Sequence, residues 1–253
     1  MTTILVAAIG LSIFVTSFLS GIFGMAGGMI LIGILLALLP LPAAMALHAV
    51  TQMASNMWRG LLWWRYIRLH SAAGYLIGCA LALGVWSIFR YVPDKAIAML
   101  MLGATPFAVR LLPAQFKPDA ERLDHGVAYG TVCMTLILLT GVAGPMVDSF
   151  FLGGRLDRRE MVATKALCQV FGHAAKLIYF GGIVATAATV DLDMMIIAVV
   201  ASLTGTTVAR RLLEAMTNSQ FRTWASRIIN SICGYYVLHG SYLLVAPLVW
   251  RAL

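Results

Sequence analysis

Residues 21–28 read GIFGMAGG, four glycines in eight positions inside a largely apolar run from Ile4 to Leu39. A transmembrane helix needs about 20 apolar residues, and glycine weakens a helix by freeing its backbone. A cluster this dense therefore asks whether the run is one straight span or two arms joined by a break. The same signal returns as GVAG at residues 141–144. After it only PMVDSFFL remains before the next glycines, about eight residues or ~12 Å at 1.5 Å per residue, far too short to span a bilayer. The second copy must hold a half-helix, with Pro145 placed where a first-turn proline belongs. By correspondence the first cluster is read as a turn at membrane depth, where irregular backbone is tolerated only beside protein or a wet cavity. A face for close helix packing of the small-xxx-small kind is the competing reading of the same glycines.

The rest of the chain agrees with a membrane setting. Of 253 residues, 61% are hydrophobic and 11% charged. No segment alternates polar and apolar residues as a barrel strand would, so the fold class is all-α, a polytopic helical membrane protein. The first apolar run lacks a basic leader and a small-residue cleavage site and is read as a mature helix. The net charge of +8 reflects Lys and Arg in short loops rather than a nucleic-acid surface. Cys79, Cys133, Cys168 and Cys233 stand singly within apolar segments. They show no metal-ligand spacing and read as packing residues.

The chain carries an internal repeat. Each glycine cluster is followed by a helix with a polar stripe: His48, Gln52, Asn56 and Arg59 in the first copy, Lys165, Gln169, His173 and Lys176 in the second. His48, Gln52 and Arg59 have the spacing of Lys165, Gln169 and Lys176. Two further spans follow in each copy, 70–90 and 95–112, then 192–210 and 222–240. The domains are therefore a first repeat at 1–112, a cytoplasmic linker at 113–123 and a second repeat at 124–253, all in one integrated membrane domain.

Basic residues set the sides. Arg59, Arg65, Arg68, Arg110, Lys117, Arg122, Arg155, Arg158, Arg159, Arg210, Arg211 and Arg222 fall at one set of helix ends; Arg90, Lys95 and Arg251 fall at the other. Placing the richer set in the cytoplasm sends helix 43–64 inward and its mate 159–183 outward. The copies are then inverted, each a Gly-broken re-entrant or half-helix segment plus three transmembrane helices.

A half-helix that starts inside the membrane aims unsatisfied N–H groups and the positive end of its dipole at whatever fills the gap, an arrangement that suits an anion. Inverted repeats with broken helices point to a transporter site near the midplane. The expected substrate-binding residues are Gly24, Gly27, Gly28, His48, Gln52, Asn56, Arg59, Gly144, Lys165, Gln169, His173 and Lys176. Inversion brings Gln52 and Gln169 toward the middle, His48 toward Lys176 on the outer side, and Arg59 toward Lys165 on the inner side. Lysine at such depth costs a few kcal/mol and signals function by default. Arg59 is also compatible with a side chain snorkelling to the headgroups, and His48 and His173 with core histidines bonded to backbone. Asp148, on the second half-helix, is a candidate proton-coupling carboxylate or one partner of a structural ion pair. Asp157 and Glu160 in DRRE form a capping box, and Asp94 an ordinary helix start.

GIFGMAGGMIL, its echo GVAGPMVDSFFLGG, the TQMASNMWR type of second helix and the two-copy arrangement resemble the sulfite exporter family TauE/SafE over essentially the whole chain. The resemblance implies carriage of sulfite, organosulfonates or similar small sulfur anions across the bacterial inner membrane. An anion channel, or a carrier for another small anion, is the alternative. The chain lacks a GxxxxGK[ST] loop, HExxH and GxSxG, so neither nucleotide-driven transport nor enzymatic catalysis is indicated. No cofactor is expected. Expected partners are the small anion, protons as a coupling ion and membrane lipid, with a homo-oligomer left open.

Overall fold

The computed structural model describes residues 3–23, 25–111, 119–152, 156, 158–183, 190–215 and 218–252. Among these there are ten α-helices and no strand. The first half holds α1 (Thr3–Phe23), α2 (Met25–Leu38), α3 (Leu41–Leu62), α4 (Leu69–Phe89) and α5 (Lys95–Arg110). The second holds α6 (Leu123–Thr140), α7 (Gly144–Leu152), α8 (Arg158–Ile178), α9 (Leu192–Ala215) and α10 (Asn218–Ala252). The protein is an all-α polytopic membrane protein. α1, α4, α6 and α9 contain spans long and apolar enough to cross a bilayer. α3 and α8 match them in length, with 22 and 21 residues, but carry the polar stripes. The linker expected at 113–123 lies largely outside the described residues.

Local chemistry sets several boundaries. Pro40 precedes α3 and Pro42 occupies its first turn, where a missing N–H costs nothing. Asp94 starts α5 as expected, its Oδ1 accepting the Ala96 N–H at 2.8 Å. α6 ends at Gly141, whose φ of 88° lies in the left-handed region and whose N–H closes on Ile137 O at 2.9 Å. Glycine is the residue that takes this conformation without strain. α7 then starts immediately and runs nine residues, ~13 Å, so the second copy does hold a half-helix. The capping box expected around Asp157 lies outside the described residues.

At the opening stretch both readings of the glycines hold. The helix breaks between Phe23 and Met25, and α2, at 14 residues or ~21 Å, is too short to cross. Gly24 lies outside the described residues. Gly21 and Gly27 serve packing instead. A methyl on Gly27 would lie 2.0 Å from Thr16 O, and one on Gly21 2.4 Å from Ala209 Cβ.

Apolar burial gives little drive for one helix to prefer another over lipid, so close backbone contact carries the assembly. The principal partners come from opposite halves: α1 packs on α9, α4 on α6, α3 on α8 and α5 on α10. α4 and α6 run parallel through facing GxxxG pairs, Gly74 with Gly78 and Gly126 with Gly130. A methyl on Gly78 would stand 2.1 Å from Val127 O, and one on Gly130 2.1 Å from Tyr75 O. Thr131 and Cys79 add bonds across this seam, Thr131 Oγ1 to Gly78 O and Cys79 Sγ to Gly130 O, both at 3.3 Å. α1 and α9 also run parallel, Gly10 meeting Ile197 and Gly21 meeting Thr206. α3 and α8 run antiparallel, with His48 beside Lys176 and Gly60 facing Ala166.

The helix ends gather as the basic residues require. At one end Arg68 pairs with Glu160, its N–H bonds Thr164 Oγ1 at 2.9 Å, and His70 Nε2 meets Glu121 O at 3.2 Å. At the other end Tyr179 donates to Tyr91 O at 2.6 Å.

Candidate functional site

The two breaks face a common cavity. It is lined by Gly28 and Met29 from α2, Gln52 from α3, Ile137 from α6, Val142, Ala143, Gly144 and Val147 around the start of α7, and Gln169 and His173 from α8. Gly28 belongs to the first turn of α2, and Gly144 is the first residue of α7. The N-terminal parts of both short helices therefore border the same space. The cavity volume is about 20 Å³, room for a water or two.

The polar lining is sparse and placed. Gln52 is 7% exposed and its amide lies 3.2–3.3 Å from where a methyl on Gly28 would stand. The absence of a side chain at Gly28 thus lets the amide approach the helix start. His173 is buried, and its Nδ1 has no hydrogen-bond partner among the described residues. A buried orphan of this kind costs about 1–3 kcal/mol unless something fills the gap. The ring of His173 stands edge-on to that of His48, centroids 5.6 Å apart.

Behind this wall lies a bonded chain. His48 Nε2 is 2.9 Å from Gly28 O, His48 Nδ1 is 2.6 Å from Lys176 Nζ, and Lys176 donates to Gly141 O at 2.9 Å. His48 and Lys176 are fully buried. With lysine as donor, Nδ1 accepts and Nε2–H donates to the carbonyl, so one tautomer satisfies the whole chain. It runs from the first break to the second, through one residue of each half. The carbonyl that accepts from the lysine stands at the end of α6, where a helix carries its negative pole.

The twelve expected site residues therefore separate. Gly28, Gln52, Gly144, Gln169 and His173 line the cavity. His48 and Lys176 meet, as inversion requires, but as the brace behind its wall. Asn56 is buried, donating from Nδ2 to Gln52 O at 2.8 Å and accepting from Arg59 Nη2 at 3.0 Å. It steadies the turn that carries Gln52. Arg59 and Lys165 are half-buried on facing helices, at the level where Gly60 meets Ala166. Gly27 packs on α1. Gly24 and the side chain of Asp148 lie outside the described residues. Val142, Ala143, Val147 and Ile137 line the cavity and were not anticipated; of these only Val142 and Ala143 carried a signal, being inside GVAG. Among the described residues no group of three His, Cys, Asp or Glu is placed to hold a metal ion.

The family comparison gives a match to the Sulfite exporter TauE/SafE family over residues 9–234. Neither the curated proteins nor the solved structures give a match. The family is one of transporters, and small-anion transport is the activity that membership carries. Since the match extends over most of the chain, residues 9–234, the protein belongs to the TauE/SafE family of sulfite exporters.

Proposed function

We propose that this chain is a secondary carrier that exports sulfite, an organosulfonate or a similar small sulfur anion across the bacterial inner membrane. The observation that carries this reading is the convergence of two helix first turns, Gln52, Gln169 and the unpartnered His173 on one cavity. N–H groups and amides at the positive ends of helices bind an oxyanion without a fixed counter-charge. Such a site holds the ion weakly enough to release it.

We also infer that the halves are inverted copies. Exchanging α1 with α6, α2 with α7, α3 with α8, α4 with α9 and α5 with α10 maps the principal helix pairs onto one another. The antiparallel course of α3 and α8 supports the opposite senses. Rocking one half against the other would then open the cavity to each side in turn. A space with room for only a water or two supports a carrier rather than an open pore.

The test is uptake by proteoliposomes of labelled sulfite, sulfate, thiosulfate and a short sulfonate, with and without a pH gradient. Saturable flux of sulfite or the sulfonate, each competing with the other, is expected. Absence of flux for all four anions overturns the reading.

A further inference from the structure

The break that offers the first turn of α2 to an anion also ends α1, whose pole is the opposite one. The last four carbonyls of a helix lack intrahelical partners and carry its negative end. In α1 those among the described residues belong to Gly21, Ile22 and Phe23. Beside them Ser17 and Ser20 are 2% and 1% exposed, and neither Oγ has a hydrogen-bond partner among the described residues. Buried hydroxyls in a membrane helix ordinarily bond the carbonyl four residues back. Thr16 does so to Ser12 O at 2.6 Å, and Thr51 to Leu47 O at 2.9 Å. Ser17 and Ser20 do not.

Two further helices, α9 and α3, bring oxygens close by, and α2 packs against the same stretch of α1. A methyl on Gly205 would lie 3.2 Å from Ser17 Cβ, and one on Gly21 3.3 Å from Thr206 O. Thr206 Oγ1 is 3.1 Å from Ser55 Oγ. Gly27 completes the enclosure from α2, where a methyl would stand 2.6 Å from Ser20 Oγ. Ser17, Ser20, Ser55 and Thr206 are all buried. Ser17 and Ser20 thus lie where α1 meets α2 and α9, near the end of α1, and Thr206 of the same stretch of α9 carries the hydroxyl pair with Ser55.

The chemistry of this set selects its ligand. α1, α2 and α3 contain no acidic residue, and α9 contains only Asp193 and Glu214, 13 residues before and 8 after Thr206. Calcium and magnesium sites draw on carboxylates, whereas neutral hydroxyl and carbonyl oxygens suit a monovalent cation. We propose that the junction of Ser17, Ser20, Ser55 and Thr206 with the end of α1 is a Na⁺ site. The ion would give the unpartnered hydroxyls and carbonyls their missing partner. It would also sit across one break from the anion, so each ion lowers the cost of holding the other, and the coupling is reciprocal. Binding of the cation stands on this junction alone; its role as coupling ion rests on the carrier reading above.

The experiment compares thermal unfolding of the purified protein in NaCl, KCl and choline chloride at equal concentration, together with direct binding of ²²Na⁺. Na⁺ is expected to raise Tm by about 2–4 °C over choline, and Ser20→Ala to remove the rise. Gln169→Ala should keep the rise while raising the anion concentration needed for half-maximal flux about tenfold. Equal Tm in the three salts with no ²²Na⁺ bound overturns the site. Should Ser20→Ala fail to fold, ²²Na⁺ binding to the unaltered protein decides. A Na⁺-specific rise with anion flux indifferent to a Na⁺ gradient keeps the site and overturns its coupling role. The same rise with no flux of any sulfur anion overturns only the carrier reading.

Discussion

Lys176 Nζ lies 2.6 Å from His48 Nδ1, joining α8 to α3 and the second half of the chain to the first. The bond closes a chain from Gly28 O to Gly141 O, so the starts of both short helices are held by one pair of buried side chains. In the proposed topology it stands on the outer side of Gln52, a brace that would have to loosen for the cavity to open that way.

Replacing Lys176 by Ala strips His48 Nδ1 and Gly141 O of their partner. A loss of about 1–3 kcal/mol of stability is expected, with transport down by tenfold or more and insertion retained. Thermal unfolding and proteoliposome flux check this. Wild-type flux in a correctly inserted variant removes the brace from the transport cycle.

Gln169→Ala and Gln52→Ala remove amides from the cavity wall. Each should weaken anion binding by about tenfold, the worth of one lost hydrogen bond to a charged group. The effect belongs in the concentration dependence of flux and not in the amount of folded protein. His173→Asn, which keeps a polar group at the orphan position, should retain more activity than His173→Ala.

Glycines offer an internal control. A methyl on Gly78 would meet Val127 O at 2.1 Å, whereas one on Gly84 would meet nothing within 4 Å. Gly78→Ala should force α4 from α6 and lower Tm by several degrees. Gly84→Ala should be neutral or slightly stabilising, since alanine is the better helix former by about 1 kcal/mol.

Asp148→Asn separates the two roles proposed for that carboxylate. If it carries the coupling proton, transport by the variant no longer responds to a pH gradient. Unchanged pH response leaves it the ion-pair role alone.

Reporter fusions at 112–122 and 184–191 should report opposite sides of the membrane. Reporting from the same side would overturn the inverted arrangement, whatever the anion.

Much of this was legible because it is written locally. The half-helix after Gly144 follows from the eight residues available, the left-handed turn from Gly141, and the start of α5 from Asp94. The shared stripe spacing anticipated that His48 would meet Lys176. What the stripes did not disclose is which of their residues face the cavity. Gln169, His173 and Lys176 lie on one side of α8, yet Gln169 and His173 line the space while Lys176 passes behind it to Gly141 O. The reason is that α6 ends there and offers a bare carbonyl within reach.

By itself the sequence determined the helical membrane class, the broken arms and the polar stripes, since each rests on hydrophobic length, on glycine and proline chemistry, or on a 3.6-residue period within one segment. Only the tertiary structure divided the polar residues into cavity wall, brace and hydroxyl junction. That division depends on the rotation and depth of each helix against partners far away in sequence, for which Gly78 against Val127 and Ser55 against Thr206 set the approach, and no local pattern encodes such contacts.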